Sequence, residues 1–102
     1  MKWLEIINVR GANSGDSSHT LFDSTQLQIN PGKEIGLRGF QFFRHATLKR
    51  DISLHLLYEG SEEKVKKSEL GIQLAALFKE FGLVNHSLWV LEDDQTDSTT
   101  II

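Results

Sequence analysis

Two histidines, His45 and His55, fall in neighbouring runs that alternate like paired strands, "IGLRGFQFFRHA" and "DISLHLLYE". Successive strand residues point to opposite faces, so parity groups Phe43 and His45 with Ser53, His55 and Leu57. Phe42 and Arg44 group instead with Ile52, Leu54, Leu56 and Tyr58, and the aliphatic character of that set predicts a face covered by helices. The histidines are left to the open face. With a turn centred on Leu48 to Asp51, the two imidazoles approach each other across the ladder, near enough to share a proton, a water or a metal ion. Two imidazoles alone hold zinc poorly and the spacing supplies no third ligand, so no metal site is assigned. Histidines at a moist dimer interface would give the same pattern.

The last strand-like run, "LVNHSLWVLE", extends that open face. Asn85, Ser87 and Trp89 share one side, and an indole there can wall a small-molecule pocket or a dimer contact. Phe43, His45, His55, Ser87 and Trp89 are therefore the candidate pocket residues. Val84, His86, Leu88 and Val90 share the covered side. His86 is expected to pack beneath the end of the long helix and donate to one of its unpaired terminal carbonyls, a structural role. Glu5, on the parity of Trp3 and Ile7, is the one carboxylate the pattern places inside the sheet, where it could act as a base or lie at a solvated strand end.

Familiar catalytic motifs are missing. There is no Ser-His-Asp set, HExxH pair or dinucleotide fingerprint, and no cofactor is implied. The loop "GANSGDSS" resembles a phosphate loop only superficially, because its glycines are one position too close and Asp16 stands where a lysine would meet phosphate. A capped loop before a helix accounts for it. The chain has no cysteine, which excludes disulfides, thiolate nucleophiles and thiolate metal sites.

These candidates are carried by elements legible in the hydropathy pattern. "KWLEIINVR" is apolar on both parities, as for a central strand covered on both sides. Leu21, Phe22, Thr25 and Ile29 favour a helix within 18–29, stopped by "NPGKE". Gly36 and Gly39 predict a bulge or close approach in the first hairpin strand. Leu70, Leu74, Leu77 and Phe81 form a helical stripe in "SEEKVKKSELGIQLAALFKEFG", with Ser61 or Ser68 as N-cap and Gly82 at the left-handed position past its end. The order is βαββαβ: an α+β, ferredoxin-like domain over 1–91, a four-stranded antiparallel sheet with two helices on one face.

At 102 residues there is room for one domain. The acidic tail, residues 92–102, holds Glu92, Asp93, Asp94 and Asp97 without a base, which leaves a near-neutral body and no basic stripe for nucleic acid. No apolar run is long enough to span a membrane, and no cleavable leader is read at the start, so cytoplasmic residence is expected.

The element order, with "KWLEII" near the start and "KEFGLVNHSLW" near the end, resembles the dimeric α+β barrel superfamily that includes the antibiotic-biosynthesis monooxygenase-like proteins, and a bacterial branch of it. The resemblance implies a homodimer packed sheet against sheet, with a small pocket on the open face; no catalytic residue is carried over. The expected function is small-molecule binding or cofactor-independent oxidation in that pocket. The alternative is a non-enzymatic homodimeric module whose open face is buried in the interface.

Overall fold

A computed structural model describes residues 1–11, 23, 25, 26, 28–30 and 32–94. Its elements are β1 (Lys2–Arg10), β2 (Leu37–Arg44), β3 (Ile52–Glu59), α1 (Glu69–Phe78) and β4 (Leu83–Val90), with a short 3-10 turn at Glu62–Lys64 before α1. The strands form one antiparallel sheet in the order β2-β3-β1-β4, so β1 lies in the middle and β2 and β4 are the edges. This is the expected α+β sheet. Of the helix expected within 18–29, Asp23, Thr25, Gln26 and Gln28 are helical, while the loop containing Asp16 lies outside the described residues.

Strand parity holds except across the β2 bulge, where Leu37 joins the core. Trp3, Ile7 and Val9 of β1 join Ile52, Leu54, Leu56 and Tyr58 of β3 in one core with Leu70, Leu74, Ala75 and Phe78 of α1, and Ile29 joins from the earlier segment. Burying each large aliphatic or aromatic side chain contributes about 1.5–3 kcal/mol, which makes this face the main source of stability. The other face, with Leu4, Ile6, Asn8, Ser53, His55 and Leu57, is only partly buried.

Ser68, not Ser61, caps α1, its side chain accepting from the Gly71 N–H. Gly82 does not take the left-handed conformation expected of it; among the described residues, positive φ occurs at Gly11 and Gly36. It is glycine because the Arg10 carbonyl presses against the site a Cβ would occupy. The bulge falls between Leu37 and Gly39 on β2.

Candidate functional site

The open face is a set of cross-strand rows fixed by register. Gln41, His55, Ile6 and Ser87 lie side by side across the four strands, flanked by a row of Phe43, Ser53, Asn8 and Asn85 and another of Gly39, Leu57, Leu4 and Trp89. His55 is the central titratable group. Its ring tilts against Phe43 with centroids 4.7 Å apart, and its Nε2 lies 3.0 Å from Ser53 Oγ. Burial pushes its pKa below the usual imidazole value of 6.5, favouring the neutral ring. On the far side of the row, the Trp89 indole N–H donates to Ser87 Oγ at 2.9 Å, although the residue is 61% exposed.

Two grooves flank this row. One, of about 430 Å³, is lined by Leu4, Leu57, Trp89, Val90 and Leu91, with Lys2 and Arg38 at its rim. The other, of about 350 Å³, is lined by Asn8, Phe43, His45, Asp51, Ser53 and Asn85. The candidate residues are thus spread along one face, Trp89 at one end and Phe43 and His45 at the other, with His55 and Ser87 in the row between.

The expected apposition of His45 and His55 is not made. Arg44 pairs with Ile52 and the His45 N–H donates to the Asp51 carbonyl, so the hairpin is centred on Leu48 and His55 faces Gln41. His45 caps the turn instead: its Nδ1 accepts from the N–H groups of Thr47 and Leu48, at 3.1 and 2.9 Å. Among the described residues no group of three or more His, Asp or Glu side chains is arranged to hold a metal ion.

A second polar cluster lies under α1. The Glu5 carboxylate is fully buried, and its Oε1 accepts from Ser68 Oγ at 2.7 Å. Its Oε2 accepts from the Ser68 N–H at 3.2 Å and lies 2.5 Å from His86 Nε2. The Tyr58 hydroxyl donates to Ser68 Oγ at 3.0 Å, and the Tyr58 ring stacks on Trp3. Burial pushes the Tyr58 phenol above its usual pKa, with the Ser68 hydrogen bond acting in the opposite sense.

This corrects the place expected of His86. It pairs with Ile7, one inward-facing step from Glu5, whereas the end of α1 leads to Gly82 against Arg10. Its donor therefore goes to a carboxylate at the helix start and not to a carbonyl at the helix end. Glu5 is a buried, fully engaged acceptor and not a solvated strand end. The signal that could have joined the two is that each is a lone ionisable group on the aliphatic parity of its strand, and the βαββαβ order makes those strands neighbours.

No family model matches the sequence, and no curated protein matches it. Solved structures do. A mutant of SnoaB, a cofactor-independent oxygenase from Streptomyces nogalater, superposes with a TM-score of 0.68 at 7% identity, over 94% of this chain and 98% of that one. A dimeric ferredoxin-like protein from an uncultured marine organism gives 0.67 at 17% identity, over 95% and 93%. The chain has their fold. A Nitrosomonas europaea protein described as of the antibiotic biosynthesis monooxygenase kind gives 0.61 at 11% identity, over 86% and 88%. At these identities the likeness is one of architecture, and the side chains on the two faces are this chain's own. Among the described residues, no helix is long and apolar enough to cross a membrane.

Proposed function

We propose that the chain works as a homodimer that binds a small molecule on the open sheet face and oxidises it without a cofactor. The observation that carries this reading is His55: an imidazole favoured in its neutral form by burial, set between Phe43 and Ser53 on a face otherwise lined by Leu4, Ile6, Leu57 and Trp89. A neutral imidazole beside an apolar surface can take the proton of a phenol or similar weak acid. The resulting anion is electron-rich enough to react directly with dioxygen, which is the oxidant. Ser53 and Ser87 supply hydrogen bonds on either side of Ile6, and Trp89 supplies a flat wall. The cofactor-independent oxygenase of the same fold supports the reaction class, and the dimeric ferredoxin-like protein supports the assembly.

The exposed Trp89 and Leu91 favour a second reading, a non-enzymatic module that buries this face against its copy. Oxygen uptake with a panel of phenols separates the two. Substrate-dependent uptake that is lost in His55→Gln and weakened in Trp89→Ala, with the dimer intact, supports oxidation. No uptake, together with a dimer that dissociates in Trp89→Ala, supports the module.

A further inference from the structure

The groove of about 430 Å³ at the Trp89 end of the open face has a polarity of its own. Its floor is apolar: Leu4 pairs with Leu57 on one side and with Trp89 on the other. The exposed Trp89 ring is anchored to its own strand, because its N–H donates to Ser87 Oγ. On β2 the row ends at Gly39, where no side chain projects and the space a Cβ would enter is open. A flat body can therefore lie across this row with the indole as its wall.

The next row is charged. Lys2 and Glu59 are partners on β1 and β3, and both line the groove. Arg38 is the extra residue of the β2 bulge, between Leu37, which pairs with Tyr58, and Gly39, which pairs with Leu57. The bulge takes it out of the alternation and re-aims it, so that its Nε lies 3.7 Å from Glu59 Oε2. Two cations and one carboxylate thus stand at one end of an apolar floor, a net positive charge. The Arg38 side chain, 68% exposed, meets Glu59 through Nε, and a guanidinium has terminal N–H groups enough to hold a second carboxylate side-on.

We infer that this groove binds an aromatic carboxylate, its ring system over Leu4 and Leu57 against Trp89 and its carboxylate between Lys2 and Arg38. As the substrate of the open face this ligand rests on the oxidation proposed above; its binding does not. The register gives its length. His55, Leu57 and Glu59 follow one another on the open side of β3, which sets the charged row about 13 Å from His55 along the strand, with the apolar row midway. Lys2 and Arg38 reach into the groove and shorten that span. A bicyclic hydroxyarenecarboxylate, with acid and hydroxyl at opposite ends, then turns its phenol towards His55 while its acid is held.

The test is calorimetric titration with 6-hydroxy-2-naphthoate and with its neutral counterpart, 6-(hydroxymethyl)-2-naphthol. At low salt the carboxylate should bind about 10-fold more tightly, an advantage that shrinks as NaCl is added. Lys2→Gln and Arg38→Gln should each weaken the carboxylate about fivefold, with unchanged binding of the neutral ligand as the control for folding. Glu59→Gln, which removes the competing acid, should tighten the carboxylate. Equal affinity for the two ligands overturns the site, as does weaker carboxylate binding in Glu59→Gln. So does binding of neither, and a dimer that dissociates in Trp89→Ala then assigns the groove to a second copy of the chain. Oxygen uptake reads the oxidation separately. Carboxylate bound but not oxidised leaves the groove standing and defeats the oxidation; the neutral naphthol oxidised as fast as the carboxylate does the reverse.

Discussion

Gly71 lies directly over the Glu5 carboxylate, so closely that the Cβ of any other residue would overlap Oε2. The Glu5 side chain fills the space between the first turn of α1 and the middle of β1, leaving no room for one at position 71. Alanine at position 71 would ordinarily strengthen a helix by up to about 1 kcal/mol. Here the clash with a buried, fully bonded group dominates. Gly71→Ala is expected to destabilise by at least about 2 kcal/mol net, from overpacking and displaced hydrogen bonds. In a Glu5→Ala background the same change should be neutral or stabilising, and a double-mutant cycle of urea midpoints reads the sign reversal.

His86→Ala removes the imidazole that contacts the fully buried Glu5 carboxylate. Breaking a buried pair on one side costs about 3–5 kcal/mol. His86→Gln retains a donor and should cost less than half as much. Equal denaturation midpoints for the parent and both variants would show that the pair contributes nothing to folding.

His55 carries a pH dependence whose sign follows from its burial. Its folded pKa lies below 6.5, so the unfolded chain takes up a proton at higher pH than the folded one. The stability this contributes is fully present above about pH 6.5 and is lost as the pH falls from there through the lower folded value. The parent should therefore weaken more steeply on acidification below about pH 6.5 than His55→Gln does. Parallel curves of urea midpoint against pH for the two proteins would contradict this.

His45 belongs to the hairpin turn. Its Nδ1 takes two backbone N–H groups, so His45→Ala should cost about 1 kcal/mol through the loosened turn. His45→Asn, which can accept the same bonds, should recover most of that loss. Phenol-dependent oxygen uptake should survive both changes. A loss of uptake without loss of stability would return His45 to the open-face site.

The faces of the sheet were legible because a strand's period of two needs no partner: the buried Ile52, Leu54, Leu56 and Tyr58, and the division of His86 from Ser87, follow from the sequence alone. Register was not legible. It depends on where the turn is centred, and the bonds from Thr47 and Leu48 to His45 draw the centre to Leu48, moving His55 from His45 to Gln41. The Glu5–His86 contact spans 81 residues and passes through the pairing of β1 with β4, so each group read singly looked like a base or a packed ring. Ser68 as the helix cap was visible as one of two serines. That its hydroxyl is shared with Tyr58 and Glu5 was not, because three separate elements meet there.

The two edges of the sheet are unequally defended. On β2 the bulge between Leu37 and Gly39 and the exposed Arg38 and Arg44 discourage another strand from aligning. On β4 there is no Asp, Glu, Lys or Arg from Leu83 to Leu91. Strand addition along β4 would therefore be self-terminating. Two copies joined there would present a defended β2 at each outer edge, giving a closed pair where a sheet with two open edges would grow into a fibre.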